Sequence, residues 1–178
     1  MIRIASLFAL ALLTACQGGT ADREQDANNA SAAKAPALLP VMIKTASGAH
    51  RFDVEVARTP QEQDKGLMFR KVIAADGGML FPMDPPRTAS FWMKDTLVPL
   101  DMLFIHSDGT IAFIQAQAEP YSRTPVSAGV PVAAVLELRG GRAAELGIGE
   151  GDRVSWGGCA VPTEGLATDL NFCPVPTR

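Results

Sequence analysis

The 178-residue chain has little from which to build a metal centre: two histidines and three cysteines, a poor stock for a zinc site of the usual kind. It has no basic run, and 16 basic residues against 19 acidic ones leave a net charge of −3, so nucleic acid finds no electrostatic footprint. No apolar stretch reaches the roughly 20 residues of a membrane-spanning helix. No repeat with a period of about 20–50 residues marks a solenoid or propeller. Gly-x-Ser-x-Gly, His-Glu-x-x-His, a phosphate-binding loop and Cys-x-x-Cys are all absent, which removes the best-marked hydrolase, metalloprotease, nucleotidase and redox classes. Neither a cofactor nor a metal is expected. What remains, at 47% hydrophobic residues, is one globular domain with extensions.

The first extension reads as an address. Arg3 precedes the apolar run Ile4–Leu13, which is too short to span a bilayer and suits a signal peptide. The run ends in Leu13-Thr14-Ala15-Cys16, which resembles a bacterial lipobox. Residues 1–15 would then be removed and Cys16 acylated. One acyl chain binds a membrane weakly, whereas two or three hold it firmly. An ordinary secretory signal cut near Ala15 is the other reading. By resemblance to lipoproteins, Gln17 in place of Asp favours the outer membrane, with the domain facing the periplasm. From Cys16 to Pro40 the chain is small and polar without periodicity, as expected of a flexible tether.

The domain is expected from Val41 to Trp156. Val41, Ile43 and Thr45 alternate, as do Phe52, Val54 and Val56, with a turn at Ser47-Gly48 between them, a hairpin with one wet face. His50 beside the turn is expected in solvent. Thr59-Pro60-Gln61-Glu62 carries the signals of a capped helix start, and Gly66 ends that helix after about two turns. Gly78–Phe81 reads as a short strand, followed by an extended loop at Pro82, Pro85 and Pro86. Asp108-Gly109 between apolar runs is a hairpin signal. Val132–Leu138 predicts a strand, Arg142–Leu146 a short helix and Arg153–Trp156 a last strand.

Phe91–Ile105 is mostly apolar yet holds Lys94, Asp95 and Asp101, and a buried charge needs a partner or a purpose. If Ser90–Lys94 and Leu100–Ile105 are strands paired across Asp95–Pro99, Lys94 lies near Asp101. Those charges then either close a hairpin with a salt bridge or floor a pocket. Trp92 is expected in the core.

Several stretches in order resemble the DUF192 (UPF0127) family. They are Thr59-Pro60-Gln61-Glu62 with Gly66-Leu67-Met68 and Arg70; Gly78-Met79-Leu80-Phe81; Phe91-Trp92-Met93-Lys94 with Thr96, Pro99-Leu100-Asp101 and Phe104; Val135-Leu136-Glu137-Leu138; and Leu146-Gly147 with Gly151-Asp152-Arg153-Val154. The resemblance implies a mainly β fold, a compact antiparallel β-barrel or sandwich with two short helices. It implies no settled activity. The family usually has Asn where this chain has Asp95, which would alter a site that needs an amide donor there.

Residues 157–178 extend beyond the resemblance and hold Cys159 and Cys173. Outside the cytoplasm such a pair reads as a disulfide; in the chain-entropy model, closing a loop of this length is worth on the order of 3 kcal/mol. Two unpaired thiols are the alternative.

Three functions fit. The first is a binding module for a small molecule or an envelope protein, with Arg70, Lys94, Asp95, Asp101 and Glu137 as its candidate polar groups. The second is a hydrolase-like enzyme using Asp95 and Asp101 as a carboxylate pair tuned by Lys94. The third is soft-metal capture by Met68, Met79, Met83, Met93 and Met102, although methionine is more often flexible core filler. No catalytic residue is assigned. Lys94→Met separates the first two meanings of the charged stretch. It should leave the melting temperature unchanged if Lys94 serves a ligand, and lower it by many degrees if Lys94 closes a hairpin.

Overall fold

The computed structural model describes residues 37–164 and 169–174. The signal-peptide and lipidation expectations for residues 1–15 and Cys16, and most of the tether, lie outside those residues. Among the described residues no helix is long and apolar enough to cross a membrane.

Seven strands form one mixed sheet: β1 (Leu39–Thr45), β2 (Gly48–Val56), β3 (Gly78–Thr88), β4 (Leu100–Ile105), β5 (Ile111–Ala118), β6 (Pro131–Arg139) and β7 (Arg153–Trp156), in the order β5-β4-β6-β3-β2-β1-β7. Two short helices, α1 (Pro60–Lys65) and α2 (Arg142–Leu146), complete it. The fold is thus mainly β with two short helices. One pairing departs from the antiparallel expectation: β2 runs parallel to β3, Glu55 opposite Met79 and Val56 opposite Leu80. A parallel pair needs a crossover, and α1 with the loop after it supplies one.

The sheet curls until its two edge strands approach. Ile111 N–H donates to Asp152 O at 2.9 Å and Val154 N–H to Gly109 O at 2.8 Å, around a single bridge between Thr110 and Arg153. No longer ladder joins them, so the barrel is not closed.

Both faces of the central strands are covered, by two different cores. Leu103 and Ile105 of β4, Leu80 of β3 and Leu136 and Leu138 of β6 point into one, with Val41, Phe52, Val54 and Trp156. Leu100, Met102, Phe104, Met79, Phe81 and Val135 point into the other, with Met83 and Met93. Successive side chains of a strand face opposite ways, so a strand covered on both faces reads as an unbroken apolar run. That is the pattern of Val132–Leu136, which Glu137 interrupts.

Three expected elements differ. Ser90–Lys94 is no strand: Phe91 makes one bridge to Val126 and the chain then turns. β4 pairs with β5 and β6 instead, so the proposed hairpin across Asp95–Pro99 does not exist. β3 continues to Thr88 through its three prolines, with an irregular stretch between Pro82 and Arg87 where the ladder skips; proline is tolerated where no ladder donor is required. β1 begins at Leu39, two residues before the expected start. α1 has the capping box its sequence announces, Thr59 Oγ1 accepting from Glu62 N–H at 3.2 Å and Glu62 Oε2 from Thr59 N–H at 2.9 Å.

Asp101 is fully buried in the first core. It faces the side of Leu138, its cross-strand partner. Its Oδ1 accepts from Gln117 N–H at 2.8 Å and Gly141 N–H at 2.9 Å, and its Oδ2 from Ala143 N–H at 2.8 Å. One carboxylate thereby joins β5, the β6–α2 turn and the first turn of α2. Beyond the domain, a disulfide joins Cys159 to Cys173 with their Cα atoms 5.2 Å apart. Phe172 stacks on Trp156 at 4.0 Å between ring centroids.

Asp101→Asn keeps the volume and turns one acceptor into a donor that faces amide donors. It should lower unfolding stability by about 2–4 kcal/mol in urea titration. Asp95→Asn, on the surface loop, should stay within about 0.5 kcal/mol of the parent.

Candidate functional site

A cavity of about 450 Å³ opens between α1, the second half of β3 and the Phe91–Thr96 loop. Its floor is Glu137. On β6, Glu137 lies opposite Met79 of β3 and Met102 of β4, so it points to the second core and is 4% exposed. Its carboxyl has no hydrogen-bond partner among the described residues. Burial alone pushes its pKa up from 4.5 to about 8, because an ion in an apolar surround loses its hydration without replacement. At neutral pH the group is mostly the uncharged acid. β3 passes close beneath it: a Cβ on Gly78 would lie 2.3 Å from the Glu137 carbonyl oxygen, so only glycine fits there.

The walls are apolar. Phe81 and Phe91 meet edge to face at 5.0 Å between centroids, beside Leu67, Met68 and Met83. The rim is polar and carries Gln63, Asp64, Lys65, Arg87 and Lys94. Trp92, expected in the core, stands 48% exposed at the rim, with Lys94 Nζ 5.8 Å above its ring. The misreading came from treating Phe91–Lys94 as a strand, which assigned Trp92 to a sheet face.

The loop carrying these residues is tied to two others. Phe91 exchanges backbone hydrogen bonds with Val126, Met93 N–H donates to Ser122 O, Phe69 N–H to Asp95 O and Tyr121 N–H to Thr96 O. Phe69, Asp95 and Tyr121 have φ of +63°, +53° and +63°, a left-handed conformation costly to most side chains and easiest for Asn and Asp. This gives the family's Asn a backbone meaning at position 95. Asp95 satisfies the same backbone demand.

The five candidate polar groups therefore separate. Lys94 and Glu137 share the cavity. Asp101 lies on the opposite side of the sheet and is consumed by backbone amides, so neither the Lys94–Asp101 salt bridge nor the Asp95–Asp101 carboxylate pair forms. Asp95 does not line the cavity. Arg70 lines a second cavity of about 530 Å³ on the other side of Lys65 and Gly66. There it forms a two-pronged ion pair with Glu55, Nη2 to Oε2 at 2.7 Å, which holds Glu55 below the usual carboxylate range. Met79, Met83, Met93 and Met102 pack in the second core among Phe81 and Phe104, as filler between rings. Sequence reasoning missed Arg87 and the α1 residues of the rim. The prolines of β3 hid the strand that carries Arg87 there. The capping box marked α1 but not what its outer face would line.

Among solved structures the chain resembles a protein of unknown function from Novosphingobium aromaticivorans, at 48% identity and TM-score 0.65, over 67% of this chain and 85% of that one. It also resembles a protein from Sinorhizobium meliloti described as a candidate transcription regulator, at 45% identity and TM-score 0.66, over 68% and 95%. No curated protein matches.

Glu137 also sets a pH dependence. Its folded pKa lies above its unfolded one, so its stabilising contribution is complete below about pH 4.5 and is lost as pH rises through about 8. Over that window the parent should lose up to roughly 5 kcal/mol relative to Glu137→Gln. Urea unfolding of both proteins at pH 5, 6, 7 and 8 measures it; parallel profiles would contradict the buried acid. Residues 42–156 match the family described as an uncharacterized ACR, and the chain belongs to that family, DUF192.

Proposed function

We propose that this protein binds a small ligand in the Glu137 cavity while held on the envelope membrane through a lipid on Cys16. One observation carries the binding reading: a buried carboxyl without a partner among the described residues, opening onto a cavity with apolar walls and a polar rim. Burying such a group costs free energy that folding does not recover, and convergent polar groups in an apolar pocket are the usual make-up of a ligand site. The lipobox-like Leu13-Thr14-Ala15-Cys16 supports the anchor. The Cys159–Cys173 disulfide fits an oxidising compartment such as the periplasm. Catalysis by an Asp95–Asp101 pair has lost its geometry. The regulator description belongs to the Sinorhizobium meliloti protein, and a net charge of −3 without a basic run gives no reason to carry it over.

Docking of an envelope protein is a second reading. It rests on Phe69, Val72 and Tyr121, which are 65%, 79% and 61% exposed, with Phe69 and Tyr121 on loops bonded to the Phe91–Thr96 loop.

A thermal-shift screen of small metabolites, metals and envelope sugars tests the first reading. Ser90 is an exposed rim residue, so Ser90→Trp should block the mouth without touching the core. Hits should raise the melting temperature of the parent by several degrees and leave Ser90→Trp unmoved. Equal shifts in both proteins would place binding elsewhere.

A further inference from the structure

The cavity is electrically lopsided. Its only acidic group at depth is Glu137, while its rim carries Lys65, Arg87 and Lys94 against Asp64. Arg51, Arg58, Arg70, Arg139 and Arg142 each have a carboxylate partner. Arg87 has only the side-chain oxygen of Gln63 at 3.5 Å, and Lys94 has only the Trp92 ring. Among the described residues neither reaches a carboxylate within ion-pair distance.

A purely anionic ligand would leave the buried carboxyl unanswered. A purely cationic one would have to pass a basic rim. We propose that the cavity selects a small zwitterion, its ammonium set against the Glu137 carboxyl and its anionic group held by Lys94 and Arg87. This rests on the reading of the cavity as a ligand site.

The walls suit the cationic end. The rings of Phe81 and Phe91 border the approach to Glu137, and an ammonium is attracted to an aromatic face, most strongly where water is excluded. An entering ammonium supplies the charge that makes ionisation of Glu137 favourable, so the acid gives up its proton to solvent as the pair forms. The groups facing Glu137 are few. Met79 and Met102 flank it on the neighbouring strands. Asp64 and Lys65 of α1, Arg87 of β3 and Lys94 of the loop reach the same cavity from its rim. Arg139, two residues along β6, is engaged by Glu145 at 2.6 Å.

Isothermal titration of the full-length protein with ω-amino acids, from glycine to 6-aminohexanoate, tests this. Their N-acetyl derivatives lack the cation, and alkylamines of equal length lack the anion. One chain length should bind at least tenfold more tightly than either of its controls, which also measures the span from floor to rim. Its affinity should rise close to tenfold from pH 6 to 7 and about fivefold from pH 7 to 8, approaching a plateau above the free acid's pKa of about 8. Glu137→Gln should cost at least tenfold and flatten that profile. Lys94→Met should weaken the ω-amino acid and leave the alkylamine unchanged. Equal binding of the N-acetyl derivative or of the alkylamine overturns the zwitterion, and so does binding of no ω-amino acid at millimolar concentration. Screening hits that Ser90→Trp abolishes would then leave the cavity a ligand site for other chemistry. If no hit depends on Ser90, the cavity reading itself falls.

Discussion

Three backbone amides from three places in the chain converge on the Asp101 carboxylate, and the arrangement of the domain follows from that convergence. The N–H groups at the end of β5 and at the start of a five-residue helix have no ladder or helical turn to satisfy them. A charged acceptor satisfies all three at once, and hydrogen bonds to a charge are stronger than neutral ones. α2 is too short to persist on its own. With its first turn held by Asp101 and Ala143 packed in the first core, it closes that end of the curled sheet. Asp101 is spent on architecture, and the candidate cavity lies on the other face of the same strands.

That division follows from the period of two in a β-strand. On β6, Leu136 and Leu138 belong to one core and Val135 to the other; Glu137 falls on the side of Val135, where α1 and the Phe91–Thr96 loop stop short of covering it. The cavity is the gap left between the outer face of a central strand and the segments laid over it. Its polar rim comes from those segments, its acid from the sheet. The two cavities share Lys65 and Gly66 as a dividing wall. The ion pair of the second one, Arg70 with Glu55, is partnered where Glu137 is not.

Local chemistry made much of the fold legible. The capping box fixed the start of α1, Asp108-Gly109 fixed the β4–β5 connection, and Arg142–Leu146 and Arg153–Trp156 were bounded as α2 and β7 are. What failed was non-local. Prolines in β3 read as a loop because proline removes ladder donors, yet an irregular stretch can leave those donors unneeded. Phe91–Lys94 has strand composition, but its backbone bonds go to Val126 and Ser122, far along the chain. With that false strand came the false Lys94–Asp101 neighbourhood and the buried Trp92. Of the candidate site, Lys94 was found by the oddness of charge within an apolar run, and Glu137 was named among the candidate polar groups from an expected strand. That same oddness also drew in Asp101, because a charge serving backbone amides looks identical in sequence to one serving a ligand. The partner tells them apart, and the partner is set by which face of the sheet a residue occupies.

Glu137 also bears on how this chain can drift. Its flanking residues on the sheet are Met79 and Met102, and its side chain fills a place that methionine or leucine could occupy with no desolvation cost. Selection for folding alone would therefore favour an apolar residue at this position, and a single substitution would improve the fold while removing the carboxyl from the cavity floor. Stability and the proposed ligand binding then pull in opposite directions at one codon.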